Sequence, residues 1–462
     1  MTATSQRHFT HTEPGTPETV WLRDPRWSEA PLVDVAATVA RYDEILVAAA
    51  HPDDESLAVG GFVAAAARLG ASLRVVVATR GEASHPQATA WAPALLAEVR
   101  AAEAEAAVAR LAPGAEVEHL DFPDGGLEGA ESALADALAA RCRPGTLVVA
   151  PCRADGHPDH DALGRAAVTA AARTRARTAH YPLWLWHWGT PDDLPWPQAH
   201  VVEPALEDLE RKRAALEEYP SQTLPLGPTV GDAPVLTEPV LTRAHRLVEV
   251  LLADDGVLTV RPPRAADGVA EPFDAMFASG SDPWGFHGSF YERRKRTLTT
   301  AVLAREQYCH VVEIGCATGV LTRTLAERAG RVTAVDVSAA ALAEARRDAP
   351  DHVLWVLGQV PSAVPAASAD LVVLSEVGYF LTPTELIETL RRVRARLDDG
   401  GEVVLVHWRH PTEQVPLDGP AVHAQAATML ADLPHRVRYA DGDVLIDVWG
   451  GPRSVAAGEG RR

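Results

Sequence analysis

The chain is poor in lysine, cysteine and methionine. Its 462 residues hold two lysines, Lys212 and Lys295, with four cysteines and three methionines. The basic charge is otherwise arginine, set among much alanine, and reads as compositional drift rather than mechanism. Cys142, Cys152, Cys309 and Cys316 show no C-x-x-C spacing. That excludes a disulfide frame or a zinc knuckle and fits small apolar fillers in a reduced compartment. Positive charge is outnumbered: 43 Lys and Arg against 63 Asp and Glu give a formal charge of −20. A nucleic-acid backbone or an anionic membrane surface is therefore excluded as the main partner. A local basic run at Arg293-Arg294-Lys295-Arg296 remains. No stretch reaches the roughly 18 apolar residues of a membrane span. The polar start, Met1 to Pro14, lacks the apolar core of a signal peptide. These absences predict a soluble cytoplasmic protein whose partner is a small molecule.

The length implies two or three domains. From residue 43, short apolar strands alternate with alanine-rich helices. The pattern predicts strands over 45–50, 72–79, 116–121 and 146–151, and helices over 55–69, 94–111, 130–142 and 160–174. Within 94–111, Leu95, Leu96, Val99, Ala102 and Ala106 recur at helical spacing. Such a βαβ series predicts a doubly wound, mostly parallel sheet. The proline- and glycine-rich stretch 223–275 breaks the rhythm, which places a linker near 262–270. A second series follows, with helix 290–304, strand 310–314, helix 319–329 and strand 331–336. The expected fold is α/β with two doubly wound Rossmann-like domains: an N-terminal extension over 1–36, a first domain over 37–264 and a second over 265–462.

Each series carries its own motif. Ala50-His51-Pro52-Asp53-Asp54-Glu55 ends the apolar run from Ile45, and His157-Pro158-Asp159-His160 follows Leu147–Ala150. Ligands in open α/β sheets collect at the carboxyl ends of strands, so the two clusters can meet in space. Two imidazoles and a carboxylate make a hydrolytic zinc site with a position left for water. Carboxylates at a helix start also serve as caps, but a cap does not need three histidines. Both motifs resemble the PIG-L/LmbE-like zinc N-deacetylases over residues 40–225. Thr79-Arg80-Gly81-Glu82, Phe122-Pro123-Asp124-Gly125-Gly126-Leu127 and Tyr219-Pro220-Ser221-Gln222 fit the same family. The resemblance implies that His51, Asp54 and His160 hold zinc, that Asp53 is the general base, and that His157 polarises the acetyl carbonyl.

In the second series, Glu313-Ile314-Gly315-Cys316-Ala317-Thr318-Gly319 reads as a strand, a glycine loop and a helix. A dinucleotide fingerprint would need glycines where Ala317 and Val320 stand, which disfavours hydride chemistry. The next strand ends in Asp336, placed for a ribose diol. The loop and this acid resemble class I S-adenosylmethionine (SAM) methyltransferases. Asp282–Phe286, Ser289–Arg293, Gly319–Thr322, Leu374–Val377 and Val406–Arg409 resemble the NodS type over 273–425. That resemblance implies that Gly315, Gly319 and Asp336 hold SAM; Glu313 opens the same motif, Gln359 after the third strand is an adenine-side candidate, and Trp284 and Tyr291 either close over the cofactor or do not touch it.

Other residues have two readings each. Glu376, Tyr379 and His407 lie at expected strand ends and are either acceptor contacts or structural polar groups. Trp184-Leu185-Trp186-His187-Trp188 alternates like a strand, and its aromatics either stack on a sugar or pack a core. His85 and His187 are either acyl-pocket or structural histidines. Together these readings predict a bifunctional enzyme that deacetylates an N-acetylated aminosugar-type substrate with zinc and then N-methylates the freed amine with SAM. Two rivals stay open: a methyltransferase with a non-hydrolytic binding domain, and a deacetylase with a regulatory second half.

Overall fold

A computed structural model describes residues 13, 15–262, 264, 266–278, 282–347, 349–412, 415–452, 454–458 and 460–461. The chain divides into two compact units, Met1–Pro262 and Pro263–Arg462.

The first unit is built on strands whose side chains are apolar on both faces. Along Glu44–Ala49, Ile45, Val47 and Ala49 enter one core, while Leu46 and Ala48, with Ala50 beyond, enter another. Leu147 and Val149, against Val148 and Ala150, divide in the same way. A strand buried on both faces belongs inside a sheet covered by helices, and these strands do pair in parallel at its centre. The sheet has nine strands, in the order Glu116–Phe122, Leu73–Thr79, Glu44–Ala49, Thr146–Pro151, Arg177–Tyr181, Glu249–Leu252, Ala199–Val202, Leu32–Val33 and Val260–Arg261. The first five are parallel.

Helix Asp54–Arg68, which opens at the first motif, is interrupted at Val59 (φ −133°, ψ 19°). The Glu249 carboxylate accepts from the freed amides of Gly61 and Phe62, both at 2.7 Å, and Lys212 Nζ neutralises it at 2.7 Å. A kink of this kind needs outside partners for the broken ladder, and this buried pair supplies them.

Two expectations give way here. Within the segment expected as an extension, helix Glu18–Leu22 and strand Leu32–Val33 pack into the first unit, and the strand is part of its sheet. Leu32–Val33 pairs with Ala199–Val202 and Val260–Arg261, and Trp21 and Trp27 are buried. Trp184–Trp188 is no strand: Leu185–Trp188 is a short helix. The Asp155 carboxylate accepts from the amides of Leu183, Trp184 and Leu185 at 2.8–3.1 Å, which turns the chain away from any ladder. Trp186 then packs edge-on to Trp21 and stacked on Trp27, with the Arg246 guanidinium 4.2 Å from its ring centre. Trp186 is core, not a sugar platform.

The second unit has a seven-stranded sheet in the order Val353–Leu357, Val332–Asp336, Val311–Ile314, Ala369–Ser375, Leu397–Trp408, Val444–Gly450 and His435–Ala440. The first five strands are parallel, and Val444–Gly450 runs antiparallel to both of its neighbours. The strand order reverses between Val311–Ile314 and Ala369–Ser375, so a ligand crevice is expected at their carboxyl ends. Helix Ala266–Ala278 occupies the stretch expected as linker, and the expected helix 290–304 is Phe290–Ala301. Among the described residues no helix is long and apolar enough to cross a membrane.

Candidate functional sites

Glu44–Ala49 and Thr146–Pro151 are neighbours, so the loops leaving their carboxyl ends bring the two histidine motifs together. Ligand atoms of His51, Asp54 and His160 all lie within 4.8 Å of one another, and all three side chains are buried. Asp54 is fixed by the amides of Ala50 and His51, both 2.9 Å from its Oδ2. His160 Nδ1 lies 2.8 Å from Asp155 Oδ2, which orients the ring with Nε2 toward Asp54. That Nε2 is 3.2 Å from Asp54 Oδ1 but makes no hydrogen bond. His51 Nε2 faces Asp124 at 3.1 Å and Asp159 at 3.3 Å, which leaves Nδ1 for the Asp54 side.

Four carboxylates thus surround two imidazoles. Burial works to lower the pKa of both histidines, yet these carboxylates hold His51 well above its ordinary value and lift His160 to about 9. A cluster this hungry for positive charge, with two nitrogens and a carboxylate converging, fits a divalent cation. His51, His157 and Asp159 form a second close grouping. The Asp159 carboxylate, however, already accepts from the amides of Gly125 and Leu127 at 2.8 and 3.0 Å, and so holds that loop.

Asp53 stands at the rim of the cluster with φ at 127°, a strained value for a residue with a side chain. Burial pushes its carboxyl up to about 7, against the pull of the Arg100 guanidinium. Arg100 donates to Asp53 Oδ2 at 2.9 Å and to the carbonyls of Pro52 and Gly81 at 2.7 and 2.9 Å. Removing that guanidinium raises the carboxyl's pKa. In Arg100→Met the acid limb of the deacetylation pH–rate profile should therefore move to higher pH, by roughly one to three pH units. An unmoved limb would separate Arg100 from Asp53.

His157 caps helix Pro158–Thr174, its Nδ1 accepting from Asp159 N at 3.2 Å, so the proton sits on Nε2. Burial, with His160 and His51 nearby, pushes its pKa down to about 2. It is a neutral donor at ordinary pH. His187 lies elsewhere, tied to the Glu13 carbonyl and Arg243, while His85 meets Ser84. Arg100, Asp124, Asp155 and Asp159 also belong to the cluster: Asp124 and Asp159 lay inside recognised motifs without an assigned role, and Arg100 and Asp155 were not singled out.

The second unit holds a cavity of about 460 Å³ at its strand-order reversal. Glu313, Gly315, Asp336, Gln359, Trp284 and Tyr291 all line it. Gly315 and Gly319 have φ of 80° and 75°. A β-carbon at Gly315 would stand 2.9 Å from Val377 Cβ, and one at Gly319 would stand 2.5 Å from the Trp355 ring. Ala317 also takes left-handed backbone, φ 47°, with its amide donating to Asp336 Oδ2 at 2.7 Å. Asp336 Oδ1 accepts from Ser338 N at 2.8 Å, so each oxygen keeps a lone pair for a ligand hydroxyl. Burial pushes Glu313 up to about 8. Gln359 Nε2 reaches Glu385 at 3.4 Å, and Trp284 packs on Phe277 and Phe286. Glu376 and Tyr379 face the cavity, but His407 does not. It is wholly buried between Gly378 N and His423, a structural chain continued to Asp447.

The family profile GlcNAc-PI de-N-acetylase matches residues 46–171, and the profile Nodulation protein S (NodS) matches 274–411. A 1D-myo-inositol 2-acetamido-2-deoxy-alpha-D-glucopyranoside deacetylase of Rhodococcus erythropolis is 34% identical over 260 residues, covering 51% of this chain and 84% of that protein. Nodulation protein S of Rhizobium tropici is 31% identical over 130 residues, covering 27% of this chain and 55% of that protein. A dTDP-3-amino-3,6-dideoxy-alpha-D-glucopyranose N,N-dimethyltransferase of Streptomyces fradiae is 31% identical over 137 residues, covering 28% and 51%. The chain belongs to the PIG-L de-N-acetylase family and carries, in the same polypeptide, a NodS-type methyltransferase domain. It spans about half the length of the methyltransferase relatives it matches.

Proposed function

We propose that the chain is a bifunctional enzyme: its first unit removes the acetyl group from an N-acetylated aminosugar-type substrate, and its second methylates the freed amine. The observation that carries this reading is the convergence of His51, Asp54 and His160 beside Asp53 and His157. The relatives' names, a 2-acetamido sugar deacetylase and an amino-sugar N,N-dimethyltransferase, supply the substrate class.

Zinc held by His51, Asp54 and His160 would supply Lewis acidity and an acidified water. Asp53 takes the proton of the attacking water, and its position is fixed by Arg100. His157 donates its Nε2 proton in a hydrogen bond to the carbonyl oxygen as negative charge develops there. The protonated carboxyl can then pass its proton to the departing amine.

In the second unit SAM would supply an electrophilic methyl group. Gly315 lets backbone approach it, Gly319 seats the loop against Trp355, and Asp336 accepts from the ribose hydroxyls. Asp336→Ala should weaken SAM binding by roughly 1–3 kcal/mol, the worth of a charge-assisted hydrogen bond, as read by calorimetry. Unchanged affinity would remove Asp336 from the cofactor site. The reading as a whole is tested by incubating the protein with SAM and a panel of N-acetylated aminosugars, followed by mass spectrometry. The expected product has lost acetyl and gained methyl. Loss of acetyl alone would favour a deacetylase with a regulatory second half.

A further inference from the structure

Glu376 follows strand Ala369–Ser375, on the side of the strand-order reversal opposite Asp336. Its turn packs against the glycine loop, since Val377 leaves no room for a β-carbon at Gly315. Glu376 holds left-handed backbone, φ 57°, a conformation that concentrates at functional sites when a side chain is present. One carboxylate oxygen accepts from Lys295 Nζ at 2.8 Å. The other accepts from the Tyr379 hydroxyl at 2.7 Å and the Trp408 amide at 2.9 Å. Lys295, one of the two lysines of the chain, is buried and also bonds Glu292 at 2.8 Å, with Arg296 Nη1 3.8 Å from the second Glu292 oxygen. Two acidic and two basic side chains thus face one another, and Glu376 Oε1, with a single donor, has room for one more.

Tyr291 completes the group. Its ring stands edge-on to Trp408 at 5.3 Å, with Lys295 Nζ 5.2 Å from the ring centre. Its hydroxyl is buried and has no hydrogen-bond partner among the described residues. An unpaired buried hydroxyl is costly, and a ligand in the cavity would supply the missing partner. Tyr291, Lys295, Glu376, Tyr379 and Trp408 line the same cavity as Gly315 and Asp336.

We propose that Tyr291, Lys295, Glu376 and Tyr379 form the acceptor-amine subsite of the methyl transfer, with Tyr291 facing the acceptor rather than closing over the cofactor. The inference rests on the methyl-transfer reading above. The amine donates its N–H bonds to Tyr291 Oη and Glu376, which leaves its lone pair directed out of the subsite. That pair forms the new N–C bond while the S–C pair stays on sulfur, giving a neutral thioether. The methylated ammonium then loses one proton to water. Lys295 and Tyr379 are positioning residues that hold Glu376.

The test uses the full chain, S-adenosylhomocysteine binding by calorimetry, and methylation of D-glucosamine by SAM. In Tyr291→Phe, which removes one oxygen and should fold normally, the expected result is homocysteine-nucleoside affinity within about twofold of wild type. The KM for glucosamine should rise and kcat/KM should fall by roughly ten- to a hundredfold. Glu376→Gln, with folding checked by thermal melting, should lose more. A Tyr291→Phe protein whose cofactor affinity falls tenfold while the acceptor KM is unchanged would overturn the subsite. So would a wild-type protein that binds the cofactor but leaves glucosamine unmethylated. Failure of the wild type to bind S-adenosylhomocysteine would instead overturn the methyl-transfer reading itself.

Discussion

Alanine at His160 is expected to strip the metal from the first unit and abolish deacetylation together. His160 is wholly buried, and its ring is the link between Asp155 on one side and Asp54 on the other. On the proposed ligand set its loss removes one of three ligands, and it leaves Asp155 without its imidazole. Hydrolysis should fall by at least about a thousandfold, because both the acidified water and the polarised carbonyl depend on the bound ion. Asp155→Asn should act more mildly, lowering metal affinity by roughly ten- to a hundredfold, the usual cost of losing a partner that orients a ligand. Metal content by plasma mass spectrometry reads both. His51→Ala and Asp54→Ala should behave as His160→Ala does. A His160→Ala protein that keeps stoichiometric zinc would show that the ion sits elsewhere, with the His51, His157 and Asp159 grouping the next to test.

The catalytic motifs were readable in the sequence because they follow directly on apolar strands, and strand ends in a parallel sheet share one edge. That rule places His51 next to His160 without any knowledge of the loops. The residues that tune the site were not readable in the same way. Asp155 acts through three backbone amides and one imidazole, and nothing local marks an isolated loop aspartate for that work. Arg100 sits in an alanine-rich helix with several other charged residues, and only the tertiary fold turns it onto Asp53. The Trp184–Trp188 error has the same origin. Strict alternation is a strand signal, but Asp155, far upstream, captures the amides a strand would need and winds the segment into a helix. Trp21 and Trp27 then meet Trp186, which ties helix Glu18–Leu22 and the turn after it to the core of the first unit. In the second unit the strand–loop–strand spacing pointed to Gly315 and Asp336, which do line the cavity, and to Gly319, which packs against Trp355 instead. His407 was not separable from Glu376, because both lie at the ends of apolar strands and only the packing shows which one faces the cavity.

An Asp53→Asn protein should retain its zinc, fail on the N-acetylated substrate, and still methylate the same compound after chemical deacetylation. Asp53 is outside the His51, Asp54 and His160 grouping, so on the proposed assignment its carboxylate does not hold the ion. The amide of asparagine cannot take a proton from water, and a general base is worth roughly a hundred- to ten-thousandfold. The two half-reactions separate because an amide nitrogen is a poor nucleophile, its lone pair being delocalised into the carbonyl. Methyl transfer therefore waits for hydrolysis. The reactive form of the product is the neutral amine, so methylation of the free amine should quicken as pH rises through the pKa of that amine in its bound state. Product mass after incubation with SAM decides the matter. Methyl gained by the intact N-acetyl compound in the Asp53→Asn protein, or placed on a hydroxyl or carbon of the free amine, would refute the deacetylate-then-methylate order. Loss of zinc from Asp53→Asn with retention in Asp54→Asn would instead exchange the roles of the two neighbouring carboxylates.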